Sequence, residues 1–239
     1  MLFLNGKPEN GITPERMVIC MPESLTELSC LQFSEQLASK APVPGGGGTA
    51  ALIGALAAGL GCMAANLTVG KKKYLPYEED HIRIIARCSG LRQRFLELVD
   101  EDAAAFEPLS AAYSMDKNDP ASAKVLRAAT LAACRAPLAM MQCCAELTVL
   151  LEELLDKCSV LMLSDVGCAA LAAHAALEAA SMNVFVNTRT LPGDEEAENL
   201  EEQASGLLHE YLPRSRAVSD AVMCQLRTWK SSTPTSPLT

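Results

Sequence analysis

The chain has 239 residues, a formal net charge of −9 and an aromatic content of only 4%. A chain of this length can bury one sizeable core, so we expect a single domain. Abundant alanine and leucine with few aromatic residues favour packed helices over sheets. The negative charge argues against a nucleic-acid partner, because phosphate binding needs a basic surface.

The ten cysteines include no CxxC pair and no Cys/His cluster at metal-ligand spacing. Cys62, Cys134 and Cys168 lie inside apolar helical runs. We therefore expect reduced, buried thiols and no metal site. The first residues, MLFLNGKPENG, lack a basic region followed by a long apolar one, so we expect no signal peptide and a cytoplasmic location.

Two Asn-Gly turns, together with Pro8 and Pro14, predict an irregular arm over residues 1–23. The first predicted helix begins after Ser29, because Ser29 and Gln32 have the spacing of a capping box. It passes Leu37 and ends before Pro42 and Pro44. The globular domain is expected over residues 24–229.

Residues 41–70 carry no charge and contain four consecutive glycines. The tract including Gly45, Gly46 and Gly47 predicts a loop without side chains, which a ligand can approach closely. A small-residue helix is expected over residues 49–67. This run is long enough to span a bilayer, but its alanines and glycines are typical of a helix enclosed by other helices. We therefore expect no membrane partner.

The remaining elements are also predicted to be helical. A long helix over residues 78–113 is expected to kink near Pro108. The next helix starts at Asp119-Pro120 and reaches Lys157, kinked or split at Pro137. Four further segments are expected: an alanine-rich helix capped by Ser164-Asp165 and reaching residue 187, an acidic helix over 194–211, a last helix over 214–229 and a disordered tail over 230–239.

No useful window alternates with period two, so the prediction is an all-α bundle of six to eight helices, some of them kinked. The helices over residues 49–67 and 164–187 carry so little charge that one subunit would not cover them fully. A homodimer that buries them is therefore expected.

The segment LELVDEDAAAF gives the strongest indication of catalysis. Helical spacing places Asp102 in the middle of an apolar stripe, while Asp100 points elsewhere. A carboxylate in apolar surroundings has a raised pKa or a cationic partner, and both suit proton transfer. A structural role, such as accepting a backbone N–H, is equally compatible with the pattern. The stripe consists of Leu91, Phe95, Leu98, Phe106, Leu109 and Tyr113.

Three motifs together resemble the cyclodeaminase/cyclohydrolase family of one-carbon folate enzymes. They are PGGGG-TAAL followed by GKKKY, the segment LVDEDAAAF, and Ser164-Asp165 with Asn183 and Asn187. The family includes formimidoyltetrahydrofolate cyclodeaminase and methenyltetrahydrofolate cyclohydrolase. The chain departs from the usual pattern at Gly48, where the family has serine, and at Cys158-Ser159, where it has Gly-Asn.

The resemblance implies an enzyme that acts at the N5/N10 carbon of tetrahydrofolate, with cyclodeaminase ahead of cyclohydrolase. A catalytic aspartate is implied at Asp102 or Asp100, and no cofactor beyond the folate substrate is expected. An inactive helical dimer that binds a folate or a protein remains the alternative from another class.

Further residues are candidates for substrate binding. Lys71, Lys72, Lys73 and Tyr74 are expected to hold the glutamate tail of a polyglutamylated folate, although lysines at a helix end also complement its dipole. Asn183 and Asn187 share a helix face and can bind the pterin edge. Ser164 and Asp165 either contact ligand or cap their helix. The glycines Gly45, Gly46 and Gly47 complete the set.

Overall fold

The computed structural model describes residues 24–116 and 119–228. These residues form seven α-helices and no strand, which confirms the predicted all-α bundle. The predicted arm over residues 1–23 and tail over 230–239 lie outside the described residues. The helices are α1 (Cys30–Leu37), α2 (Gly46–Asn66), α3 (Glu78–Tyr113), α4 (Pro120–Ala133), α5 (Arg135–Lys157), α6 (Leu163–Thr188) and α7 (Glu195–Thr228), with short 3-10 segments at Leu25–Glu27, Lys72–Tyr77 and Val160–Met162.

Two predicted helix starts are confirmed by their capping hydrogen bonds. The Gln32 N–H donates to Ser29 Oγ at 3.2 Å, and the Ser29 N–H donates to Gln32 Oε1 at 3.0 Å. At α4, Asp119 Oδ1 accepts the Ala121 N–H at 2.9 Å. The cap predicted at Ser164-Asp165 is wrong, because α6 already begins at Leu163 as a continuation of a 3-10 turn and no side chain caps it.

Helix α2 begins at Gly46, so the predicted glycine loop is the first turn of the helix. Gly47 and Gly48 are buried there. Glycine is a poor helix former on its own, and burial against neighbouring helices overrides that preference. The glycines therefore bring the backbone of the first turn close to its neighbours.

Proline acts differently at three places in the bundle. Pro137 lies in the first turn of α5, where its missing N–H costs little. The predicted helix from Pro120 to Lys157 is split, as expected, and the break between α4 and α5 lies at Cys134. Pro108 lies within α3. The break predicted between residues 211 and 214 is wrong, because α7 continues through Pro213. Tyr211 and Leu212 of α7 pack against the core on the N-terminal side of that proline.

Helix α2 lies between α3 and α6 and is antiparallel to both. A Cβ placed on Gly54 would fall 2.5 Å from the Phe95 ring of α3, and a Cβ on Gly46 would lie 3.6 Å from Asn183 of α6. Both α2 and α6 are long and apolar enough to cross a membrane by length and composition alone. In the bundle they are central helices, and small residues allow their backbones to approach the neighbouring helices.

Helices α2 and α6 expose apolar side chains. Leu56 of α2 is 62% exposed, and Met182 and Leu171 of α6 are 62% and 47% exposed. One subunit therefore leaves part of its two charge-poor helices uncovered, as the sequence indicated. The homodimer itself stays a prediction.

The close α2–α3 contact generates a test of stability. Gly54→Ala would push a methyl group into the fully buried ring of Phe95, so we expect the free energy of unfolding to fall by about 1–3 kcal/mol. Gly206→Ala is the control: this glycine is exposed on α7 with nothing within 4 Å, and alanine there should stabilise by up to about 1 kcal/mol. Urea denaturation measures both, and equal effects would contradict the tight contact.

Candidate active-site cleft

A cleft of about 300 Å³ lies at the N-terminal end of α2. This volume is at the lower end of the range for small-molecule sites. Because α2 is antiparallel to both neighbours, its first turn meets the middle of α3 and the last turns of α6. The lining residues are Pro42, Val43, Gly45, Gly46, Gly47, Asp102, Phe106, Leu109, Tyr113, Ala133, Asn183, Val186 and Asn187.

Asp102 is the single charged side chain among these lining residues. It is half-buried, and the Gly48 N–H in the first turn of α2 lies close enough to its carboxylate to favour the ionised form. Burial raises the pKa of the Asp102 carboxyl above its ordinary value of 3.8, while the Gly48 N–H opposes the shift. The net result is a carboxylate with raised proton affinity that faces a small apolar cleft.

Gly47 makes this placement possible. A Cβ on Gly47 would come within 2.5 Å of Asp102 Cγ, which is closer than non-bonded atoms can approach. The absence of a side chain therefore lets the carboxylate lie directly against the helix backbone, near the positive end of the helix dipole. At Gly48 a Cβ would meet Pro44 Cβ at 3.4 Å, an ordinary contact. A small side chain such as the family's usual serine would therefore place its Cβ at Gly48 without a clash.

Asp100 has a different role from Asp102, although only two residues separate them. Its carboxylate accepts hydrogen bonds from Ser24 Oγ at 2.6 Å and from the Leu25 N–H at 2.8 Å. It does not line the cleft. Asp100 therefore fastens the segment before α1 onto α3, and the structure supports Asp102 over Asp100 as the group that can reach a ligand.

Two amides of α6 face the same cleft. Asn183 donates from Nδ2 to the Ala179 carbonyl at 2.9 Å, which leaves its Oδ1 as an acceptor near Gly46. Asn187 lies near the Cys134 thiol and also lines the cleft. Asn183 and Asn187 therefore lie on one face of α6, as predicted, and that face lines the same cleft as Asp102.

The cleft also has walls that the sequence interpretation did not assign to a site. Phe106 and Tyr113 were placed on an interior stripe, yet they are 40% and 48% exposed. They follow Asp102 on α3 and present aromatic surface to the cleft, together with Val186, which is 51% exposed. The apolar stripe that contains Asp102 is therefore buried up to Leu98 and partly exposed at Phe106 and Tyr113. Helical spacing shows which residues share a face, but it does not show where neighbouring helices stop covering that face.

The predicted lysine cluster lies at the other end of α2. Its 21 residues span about 30 Å, and Lys71, Lys72 and Lys73 follow its last turn. Lys71 Nζ donates to Ser159 Oγ at 3.2 Å, and Tyr74 OH accepts the Val160 N–H at 3.3 Å. Ser164 and Asp165, at the start of α6, belong to this end too. Within one subunit, no single site contains both groups of predicted residues.

No histidine or cysteine is among the residues that line the cleft. His174 Nδ1 is 2.9 Å from Ser215 Oγ. His81 is fully buried, with Nε2 at 2.9 Å from the Lys157 carbonyl. Burial raises the pKa of the Cys134 thiol to about 11, whereas Cys168, expected to be buried, is exposed.

No group of three metal-ligating side chains occurs in residues 24–116 and 119–228. The cleft therefore offers a carboxylate, two amides, aromatic surface and the backbone N–H groups of a helix start. This combination defines a helical protein with a small-molecule cleft whose charged lining residue, Asp102, has a raised pKa.

Comparison with known proteins gives the family. Residues 29–206 match the family model described as formiminotransferase-cyclodeaminase. The chain is 38% identical over 182 residues to a methenyltetrahydrofolate cyclohydrolase of Methylorubrum extorquens, covering 74% of this chain and 88% of the relative. It is 28% identical over 192 residues to the formimidoyltransferase-cyclodeaminase of Rattus norvegicus, covering 79% of this chain but 36% of that larger protein.

The fold agrees with these sequence matches. The crystal structure of formiminotetrahydrofolate cyclodeaminase from Thermotoga maritima superposes with a TM-score of 0.74 at 26% identity, covering 85% of this chain and 98% of that one. The chain belongs to the formiminotransferase-cyclodeaminase family.

The environment of Asp102 predicts how stability depends on pH. Because its pKa is raised in the folded state, the folded chain binds this proton more tightly, and ionised Asp102 opposes folding above that pKa. We expect Asp102→Asn to leave the free energy of unfolding unchanged or higher at neutral pH. The difference should shrink as the pH falls through the raised pKa, where the wild-type carboxyl becomes neutral.

Asp100→Ala is the matched comparison. It removes the acceptor for Ser24 and Leu25 and should lower the free energy of unfolding by about 1–3 kcal/mol at neutral pH. Denaturation at several pH values measures both variants. A loss at Asp102→Asn as large as at Asp100→Ala would contradict the assignment of the two carboxylates.

Proposed function

We propose that this protein is a one-carbon folate enzyme that acts at the carbon between N5 and N10 of tetrahydrofolate. The observation that carries the proposal is Asp102: a carboxylate with a raised pKa, held in an apolar cleft by the first turn of α2. Both reactions of the resembled enzymes pass through a tetrahedral carbon next to a cationic amidine. Each needs a proton carrier and a nearby negative charge, which one carboxylate can supply.

The first candidate reaction is the hydrolysis of 5,10-methenyltetrahydrofolate to the 10-formyl compound. Water attacks the bridging carbon and Asp102 accepts one of its protons, which gives a neutral hydroxyl adduct. Asp102 then delivers that proton to N5 as the C–N5 bond breaks, and the hydroxyl proton is released to solvent, which leaves the formyl group on N10. The 38% identity to a named methenyltetrahydrofolate cyclohydrolase, over 88% of its length, supports this reaction. On this support we rank cyclohydrolase ahead of cyclodeaminase, the reverse of the order that the sequence motifs implied.

The second candidate is the cyclodeamination of 5-formimidoyltetrahydrofolate. Here N10 attacks the carbon of the protonated formimidoyl group, and Asp102 accepts the N10 proton. Asp102 then returns that proton to the NH2 group of the adduct, and ammonia leaves to form the cationic methenyl bridge. The superposition on the Thermotoga maritima cyclodeaminase, over 98% of that chain, supports this reaction. Both reactions require the same proton carrier at the same carbon, so one cleft suits either.

The remaining lining residues fit the binding of a flat heterocycle. Phe106 and Tyr113 present aromatic surface on which a ring can stack. Asn183 and Asn187 offer amide donors and acceptors to its polar edge. No cofactor beyond the folate substrate is needed for either reaction.

One assay separates the candidates. Purified protein is incubated with 5,10-methenyltetrahydrofolate and, separately, with 5-formimidoyltetrahydrofolate, and the methenyl chromophore is followed. Loss of the chromophore in the first incubation indicates cyclohydrolase, and its appearance in the second indicates cyclodeaminase. No change in either, with folate binding retained in a direct titration, would leave the chain as an inactive binding protein and refute the enzymatic proposal.

Asp102→Asn preserves the shape of the side chain and removes the base. We expect kcat to fall by about two to four orders of magnitude, the usual contribution of a positioned general base, with folate binding largely retained. The acidic limb of the wild-type pH profile should have a midpoint above 3.8, because the base must be ionised and its pKa is raised, and this limb should be absent in the variant. Asp100→Asn should retain far more activity, and the reverse order would identify Asp100 as the base.

Gly47→Ala and Gly48→Ala test the close approach of α2 to the carboxylate. A methyl group at Gly47 must displace Asp102, so we expect a loss in kcat of at least about tenfold with little effect on stability. At Gly48 the methyl group meets Pro44 at 3.4 Å and the N–H remains, so the loss should be much smaller. Steady-state kinetics of both variants measure the difference, and equal losses would show that the contact is not required.

A further inference from the structure

A second cavity adjoins the cleft along α3. This side groove has a volume of about 510 Å³. Pro42, Val43 and Phe106 line both the cleft and the side groove, so the two cavities meet along these residues. The other residues that line the side groove follow one face of α3, from Ala103 to Ser114 at its end.

The side groove begins next to the proposed proton carrier. Ala103, which lines the groove, directly follows Asp102 on α3, and Phe106 lies about one turn further along. Successive residues of a helix point about 100° apart, so Asp102 and Ala103 face neighbouring directions. A ligand held at Asp102 can therefore extend into the cleft on one side and into the side groove on the other.

The boundary between the two cavities is held in place from α1. Val43 belongs to the segment that joins α1 to α2, and it is half-buried. Its carbonyl accepts a hydrogen bond from Gln36 Nε2 of α1 at 2.9 Å. Because this contact fixes the segment, the side groove is formed before a ligand binds, which lowers the entropic cost of binding.

The substrate of the proposed reaction has two ring systems, one on either side of the reacting carbon. N5 belongs to the pterin ring, and N10 is bonded to an aminobenzoyl ring. Both rings must therefore lie near Asp102 when it exchanges a proton at the carbon between them. The cleft of about 300 Å³ is at the lower end of the range for small-molecule sites and leaves little room for both rings.

The lining of the side groove suits an uncharged ring and not the glutamate tail of a folate. None of its lining residues is cationic, and Glu107 places a carboxylate there. Like charges repel, so the carboxylates of the tail are disfavoured in the groove. Apolar surface for a flat ring comes from Phe106, Val43 and the methyl groups of Ala103 and Ala111.

We propose that the side groove binds the aminobenzoyl ring attached to N10 while the pterin ring occupies the cleft. This inference rests on the proposed folate function. In this arrangement Phe106 contacts both rings, and Asp102 lies beside the carbon that joins them. Ala103 and Ala111 determine specificity, because their small side chains leave room for an aryl group on N10.

Two neighbouring alanines provide a matched test. Ala103→Leu places a larger side chain in the side groove, whereas Ala104→Leu makes the same change at an exposed position of α3 that lines neither cavity. Calorimetry measures the affinity for 5-formyltetrahydrofolate, which carries both rings, and for 6-methyltetrahydropterin, which lacks the aminobenzoyl group. We expect Ala103→Leu to weaken the binding of 5-formyltetrahydrofolate by about tenfold or more and to leave that of 6-methyltetrahydropterin unchanged. Ala104→Leu should leave both affinities at the wild-type value.

Ala111→Leu repeats the test further along the groove. Ala111 is exposed, so the added volume does not enter the core and the variant should fold. We expect the same selective loss for the probe that carries the aminobenzoyl ring.

The position of the ring can also be read directly by NMR. With isotope-labelled alanine methyl groups and bound 5-formyltetrahydrofolate, we expect nuclear Overhauser effects from the benzoyl protons to the methyl groups of Ala103 and Ala111. Ala104 should show none.

The outcomes separate this inference from the function on which it rests. If Ala103→Leu and Ala111→Leu bind 5-formyltetrahydrofolate as tightly as the wild type, or if the benzoyl protons contact neither methyl group, the side groove is not the site of the ring, and the proposed function stands. An equal loss of affinity for both probes would also overturn the assignment. If the wild type binds no folate and converts none, the proposed function fails and this inference fails with it.

Discussion

The contact between the first turn of α2 and the carboxylate of Asp102 is the constraint on which the rest of the site depends. The carboxylate lies against a glycine backbone near the Gly48 N–H, so the positive end of a helix dipole stabilises a charge that burial disfavours. Burial is the larger effect, and the pKa of Asp102 is raised. The proton affinity of Asp102 thus results from two opposed effects, burial and the nearby backbone N–H. The crossing of α2 and α3 determines both of them.

Other small residues of α2 determine how closely the helices pack. Gly54 against Phe95 and Gly61 against Cys88 keep α2 close to α3 over several turns. Close antiparallel packing brings the start of α2, the middle of α3 and the end of α6 to one place, where Gly47, Asp102 and Asn183 meet. Because α2 is an unbroken helix of 21 residues, it also keeps the lysines that follow it at the opposite end of the bundle.

An aspartate that faces an apolar cleft is costly to stability at neutral pH, and active sites commonly retain such a cost. Asp100 shows the contrast on the same helix turn. Its carboxylate is satisfied by Ser24 and Leu25, and its position is structural. Two carboxylates two residues apart therefore have different roles because they lie on different faces of α3.

The sequence by itself determined the helical class, most helix bounds and the separation of Asp102 and Asp100 onto different faces of one helix, because these depend on local spacing, capping and the direction of side chains around that helix. Local rules gave the wrong result for the glycine start of α2, the cap at Ser164-Asp165 and the break before Pro213. There tertiary packing outweighs the intrinsic preference of a few residues. Only the tertiary structure decided that Phe106 and Tyr113 are walls of a cleft and that Lys71, Lys72 and Lys73 lie about 30 Å from it, because the distance between segments depends on how whole helices cross and on their length.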